Sequence, residues 1–208
     1  MKSRLLDKVK QGSDRIDKMR QKKSKKKPKI ANTLVLDCIE YLDSYGLQEQ
    51  GLYRVPGALT EVTKLQQLYQ QGPVNLFEVK PSINCIATMI KQNFRENEPI
   101  LPSNEMDMGT LKTTLNQLPA EHYTTLSLLC AHLARVCYFE ETNKMSLSNI
   151  CVVWCPSLKV HSNVLEMMIG NGDVLFKWND NPFADEEMLD WESSDADTMS
   201  KTEHIEAE

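Results

Sequence analysis

From Leu34 to Phe176 the apolar residues return every three or four positions, and no segment alternates apolar with polar at a strand's period. That spacing puts them on one stripe of a helix rather than one face of a strand. Leu34, Val35, Cys38, Ile39, Leu42 and Tyr45 mark a first face, with Gly46 as its stop. Leu59, Val62, Leu65, Leu68 and Tyr69 mark a second, ended by Gly72-Pro73. Ile83, Ile86, Ala87, Ile90 and Phe94 mark a third, with Pro81 suited to a first helical position. Leu111, Leu115 and Leu118 predict a short helix. Pro119 opens the longest one, with Tyr123, Leu126, Leu129, Cys130, Leu133, Val136 and Cys137 facing inward. Residues 96–104 and 142–145 read as connections. Ser146 or Ser148 can cap a helix through Ile150, Cys151, Val153 and Trp154 that must end near Pro156. A last apolar group from Val164 to Phe176 is interrupted by Gly170 and Gly172. The expectation is an all-α bundle of about six to eight helices, with no internal repeat.

Charge divides the rest of the chain. Residues 1–29 carry 13 Lys/Arg against 3 Asp/Glu, and residues 180–208 carry 11 Asp/Glu against one Lys. We therefore divide the 208 residues into a basic arm (1–30), a helical domain (31–178) and an acidic, disordered tail (179–208). The arm has weak helical spacing through Leu5, Val9, Ile16 and Met19, then Lys22-Lys23-Ser24-Lys25-Lys26-Lys27. It fits an anionic membrane surface, an acidic partner or a nuclear address, and equally a solvated arm. No apolar run is long enough to span a membrane, and no signal peptide is expected. The six cysteines form no paired metal-binding pattern, so reduced, buried thiols and a cytoplasmic location are expected.

Between the first two helical faces lies Gly51-Leu52-Tyr53-Arg54-Val55-Pro56-Gly57, in which six of seven residues are glycine, proline or apolar and the seventh is arginine. An arginine on a short, stiff loop is a positioned cation. Lys91 and Arg95 stand four apart at the margin of the third apolar stripe, either as a solvated edge or as part of one basic surface with Arg54. His132, inside the longest helix, reads as structural. The chain has no Walker loop, no dinucleotide fingerprint, no zinc signature and no nucleophile elbow, so no metal, no cofactor and no active site of its own are expected. The remaining possibility is an arginine acting on a phosphate that belongs to a partner, where it would offset charge developing during phosphoryl transfer.

The loop from Gly51 to Gly57 resembles the arginine-finger loop of the RhoGAP family, the GTPase-activating domains for Rho-class small GTPases. Three further segments agree in order. Ile90-Lys91 through Phe94-Arg95, leading to Glu98-Pro99-Ile100-Leu101-Pro102, is similar to the family's lysine-and-arginine helix and the proline segment after it. Leu118-Pro119 with Leu126, Leu129, His132-Leu133 and Val136 is similar to its long core helix. Asn143-Lys144-Met145 with Ser148-Asn149-Ile150 and Pro156-Ser157-Leu158 resembles its most characteristic helix. The match spans about residues 31–178.

The resemblance implies a RhoGAP-type helical bundle that stimulates GTP hydrolysis by GTP-bound Rho, Rac or Cdc42 in signal transduction. Arg54 would be the catalytic finger supplied in trans, on a loop shaped by Gly51, Tyr53, Pro56 and Gly57. Lys91 and Arg95 would support that loop and face the GTPase, and Asn149 would contact the GTPase near its nucleotide. Such a chain activates a partner enzyme; a catalytically silent GTPase-binding module and a membrane or endocytic adaptor are the alternatives. The chain departs from the family pattern in three places. A lysine-rich arm replaces the usual apolar entry, the segment 102–118 is short, and Trp154-Cys155-Pro156 stands where Phe-Gly-Pro is common. In the tail, Asn181-Pro182-Phe183 followed by acids resembles the peptide bound by EH domains, and a plain spacer is the other reading. No nucleic-acid partner is expected.

Overall fold

The computed structural model describes residues 33–97 and 99–176, and every described element is helical. The chain divides into two units, Met1–Ala31 and Asn32–Glu208, and all described helices belong to the second. The arm 1–29, the tail from residue 179 and its Asn181-Pro182-Phe183 lie outside the described residues.

Among the described residues ten helices follow in order: α1 (Thr33–Tyr45), α2 (Leu59–Gln71), α3 (Leu76–Val79), α4 (Ile83–Glu96), α5 (Met108–Gln117), α6 (Ala120–Tyr138), α7 (Glu140–Asn143), α8 (Leu147–Leu158), α9 (Ser162–Gly170) and α10 (Gly172–Phe176). Several starts are fixed by side chains that take up an otherwise unpaired amide. Ser82 accepts from the Cys85 N–H at α4, Asp107 from Thr110 at α5, and Ser146 from Asn149 at α8. α1 packs against α4 and α6, α4 against α2 and α8, and α9 against α6 and α8. One core runs through them, from Val35 and Leu42 on α1 through Ile86 and Ile90 on α4 to Leu129, Leu133 and Trp154 on α6 and α8.

Five details differ from the apolar pattern. α3 and α7 are single turns that the apolar pattern does not mark, α3 between the second and third faces and α7 running into the connection at 142–145; each closes where a lysine, Lys80 or Lys144, takes the left-handed conformation and donates its N–H back to the turn. Pro81 precedes the Ser82 cap instead of occupying the first helical position, because the serine hydroxyl satisfies the amide of Cys85. α8 does not end at Pro156 but runs to Leu158. The proline removes the N–H that would reach the carbonyl of Val152; that residue is 72% exposed, so water can serve the carbonyl instead. Leu59, Leu68, Tyr45 and Val174 are exposed. Leu59 is the first residue of α2, and helical side chains lean toward the N-terminus, which carries it past the body of the bundle. Cys137, on the expected inner face of α6, is half-buried.

Candidate functional site

The segment between α1 and α2 has no regular structure of its own, so its shape depends on where its backbone hydrogen bonds go. α1 is closed by the Gly46 N–H donating to the Leu42 carbonyl at 2.7 Å. The chain then turns at Gly51, whose φ of 73° lies in the left-handed region; a Cβ there would also press on Val55 at 3.0 Å. The Gly51 N–H donates to the Asn143 carbonyl at 2.7 Å. Its own carbonyl accepts from both Arg54 N–H (2.8 Å) and Val55 N–H (2.9 Å), which closes a tight turn around residues 52 and 53. At the far end the Gly57 N–H donates to Thr88 Oγ1 on α4 at 2.8 Å.

Tyr53 sits in the middle of this turn with φ at 70°. For a bulky L-residue that conformation costs roughly 1–2 kcal/mol, and it persists only where the surroundings over-determine it. Here they do. The Tyr53 side chain is fully buried, edge-on to Trp154 with ring centres 4.9 Å apart. Trp154 rests in turn against Phe94. The Lys91 Nζ donates to the Tyr53 carbonyl, and the Tyr53 hydroxyl reaches His132 Nε2 at 2.5 Å. Burial, and after it the nearby Asp43 carboxylate, push the Tyr53 phenol well above its usual range, so the hydroxyl keeps its proton.

Arg54 is exposed immediately beyond this anchored residue. Among the described residues its guanidinium has no hydrogen-bond partner; it lies back over its own loop, with Nη2 and Nε 3.4 and 3.5 Å from where a Gly51 Cβ would stand. Lys91 is half-buried under the loop, and burial, followed by the charge of Arg95 one turn along α4, lowers its ammonium pKa. Arg95 is exposed. Asn149 lies in the first turn of α8 and its Nδ2 donates to the Lys144 carbonyl at 3.0 Å. Lys144 adjoins Asn143, which holds Gly51, so the loop that carries Arg54 is supported from Lys91 on α4 and from the segment that leads to Asn149. Pro56 is exposed, and Gly57 is pressed against α4.

Thr88, Asp43 and Arg135 were not singled out by pattern, and Asn143 entered only within a resembling segment. Asn143, fully buried, donates through Nδ2 to the carbonyls of Leu47 (2.8 Å) and Val136 (2.7 Å) and accepts from the Met145 N–H (2.7 Å). It ties the finger-like loop to α6 and to the start of α8. Thr88 and Asp43 look like ordinary polar residues on amphipathic helices. His132, read as structural, is fully buried; its Nδ1–H donates to Asp43 Oδ1 at 2.6 Å, and Arg135 grips the same carboxylate at 3.1 and 2.5 Å. Trp154, in place of a smaller aromatic, lies in the core beneath Tyr53 and not on the rim. Only a polar residue in an otherwise apolar face, such as His132 between Leu129 and Leu133, hinted that something in the core needed a partner.

A family model for the RhoGAP domain matches residues 33–163. The probable Rho-type GTPase-activating protein 2 of Schizosaccharomyces pombe is 29% identical over 162 residues, covering 69% of this chain and 13% of that protein. The human Rho GTPase-activating protein 24 is 29% identical over 147 residues, covering 62% of this chain and 20% of that protein. The chain thus spans about a fifth or less of these relatives' length. Among solved structures, the BH domain from the GTPase regulator associated with focal adhesion kinase superposes with a TM-score of 0.61 at 22% identity, covering 72% of this chain and 96% of that one. Human Rho GTPase activating protein 15 superposes with a TM-score of 0.60 at 24% identity, covering 69% of this chain and 82% of that one.

Proposed function

The chain belongs to the RhoGAP family, and on that premise we propose that it accelerates GTP hydrolysis by a GTP-loaded Rho, Rac or Cdc42-class GTPase, with Arg54 as the arginine supplied in trans. The observation that carries this reading is the contrast between Arg54 and its neighbours. The guanidinium is exposed and unengaged among the described residues, while the residue before it is buried and bonded through both its carbonyl and its hydroxyl. A cation held that way is spared much of the ordering cost when it meets charge on the transferring phosphoryl group.

The partner would bring the nucleotide, the attacking water and the residue that orients it. Lys91 would hold the loop through the Tyr53 carbonyl. Arg95 and Asn149, on the two elements beside the loop, would face the partner. Residues 31–178 would form the acting domain.

The test is single-turnover GTP hydrolysis by a panel of Rho, Rac and Cdc42 proteins with saturating wild-type chain or Arg54→Ala. The variant is expected to lose ~10³–10⁵ in stimulated rate while still binding the GTP-loaded partner. Unchanged stimulation by the variant would remove Arg54 from the mechanism, and binding without stimulation by the wild type would make the chain a silent GTPase-binding module.

A further inference from the structure

We propose that Asp43, His132 and Tyr53 form a buried hydrogen-bond relay that sets the direction in which Arg54 leaves its loop, with His132 as a positioning residue for the activating arginine. The proposal rests on the reading of Arg54 given above, and it concerns residues that do not themselves reach the partner.

The relay begins at Asp43 on α1. Arg135 approaches this carboxylate through Nε and Nη2, a two-point grip that fixes its plane. Oδ1 then accepts from His132 Nδ1–H, one turn before Arg135 on α6. In the neutral ring with its proton on Nδ1, Nε2 accepts from the Tyr53 hydroxyl. The loop is thereby referenced to α6, where His132 lies 79 positions from Tyr53, and through it to α1, where Asp43 lies 89 positions from His132.

Apolar packing alone would not do this. Tyr53 is fully buried against Trp154, and a ring in an apolar slot can tilt and slide with little change in contact area. A hydrogen bond is directional and fixes where the ring's far end lies. Tyr53 and Arg54 share a peptide unit, so rotation at the left-handed Tyr53 swings the arginine. The molecule also places a histidine at 0% exposure in the core behind the loop, where an apolar residue would avoid the desolvation of a ring with two polar atoms. The bland account, a histidine that merely satisfies Asp43, needs only Nδ1; the engaged Nε2 is what it leaves unexplained.

The experiment uses the 208-residue chain with a GTP-loaded Rho-class GTPase that the wild type stimulates, in single-turnover hydrolysis over a range of chain concentrations. Tyr53→Phe keeps the ring and deletes the hydroxyl. Its maximal stimulated rate is expected to fall about ten- to hundredfold, with the half-saturating concentration unchanged within about twofold and the thermal unfolding transition still cooperative. His132→Gln, whose amide can meet the hydroxyl, is expected to retain most of the rate. His132→Leu, which cannot, is expected to behave like Tyr53→Phe. Arg54→Ala runs alongside. If Arg54→Ala is slow while Tyr53→Phe and His132→Leu both reach the wild-type maximal rate, the relay is overturned and the finger stands. If Arg54→Ala is as fast as wild type, the finger reading itself fails and the relay falls with it. Loss of stability in the His132 variants without loss of maximal rate in the folded protein makes His132 structural only and also overturns the proposal.

Discussion

The Gly51 N–H and the Asn143 carbonyl meet at 2.7 Å, which hangs the Arg54 loop on the turn that leads into α8. Asn143 is separated from Gly51 by most of the domain's sequence, yet its side chain spends every polar atom on fixing this junction. Asn143→Ala therefore deletes three hydrogen bonds and strips the Leu47 carbonyl and the Met145 N–H of their side-chain partner, while the Val136 carbonyl keeps the Phe139 N–H. Unfolding in urea is expected to show a loss of roughly 2–4 kcal/mol. A change within 0.5 kcal/mol would mean that the junction is not a support of the fold.

Gly57 makes the loop's exit as tight as its entry. A Cβ there would lie 2.6 Å from both Cα and N of Cys85, which are backbone atoms of α4 and cannot rotate away. Gly57→Ala must lift the loop off the helix and is expected to cost ~1–3 kcal/mol. The stimulated hydrolysis rate should fall with it, because Thr88 would lose the Gly57 N–H. Differential scanning calorimetry beside the hydrolysis assay reads both; an unshifted transition would show that the exit is slack.

Asp43 gives the domain an acid limit. Burial tends to raise its carboxyl, but the His132 ring and the Arg135 guanidinium beside it outweigh burial and hold it at about 2, down from 3.8. A group lowered on folding stabilises the native state above its unfolded pKa and loses that contribution as pH falls toward the folded value. The Asp43 contribution, about 2 kcal/mol from this shift, is thus fully present above about pH 4 and fades between about pH 4 and pH 2. The difference in unfolding free energy between wild type and Asp43→Asn should be flat from pH 7 to 5 and shrink below pH 4. A difference that stays constant to pH 2.5 would refute the ion pair as its source.

The thiols should be inert in the native protein. Burial pushes Cys85, Cys137 and Cys151 up to about 12, and raises Cys38, Cys130 and Cys155 as well. Thiolate is the reactive form. At pH 7.5 a colorimetric thiol reagent is expected to label the folded chain slowly and all six cysteines rapidly in guanidinium. Rapid labelling of several thiols in the native state would contradict the burial of this core.

Much of the architecture was legible because helical period is a local property. Val35, Cys38 and Leu42, or Leu126, Leu129 and Leu133, need only their own spacing to declare a buried stripe, and Ser146 needs only its place before α8 to declare a cap. Arg54 was legible for a related reason, since a lone cation among glycine, proline and apolar residues stands out in seven letters. Pro156 misled because a proline in the last turn of a helix removes one hydrogen bond that water can replace, and sequence does not say which carbonyl faces water.

The amino-acid sequence by itself determined an all-helical body, the order of its main helices and the one loop that presents an arginine. What only the tertiary structure decided is how that loop is held. Its anchors, Asn143, Thr88, Lys91 and the Asp43–His132–Tyr53 chain, come from four different helices and act by directional hydrogen bonds between residues up to 96 positions apart. Such bonds leave no periodic trace, because a buried polar partner is chosen by where the folded backbone arrives and not by its neighbours in the chain.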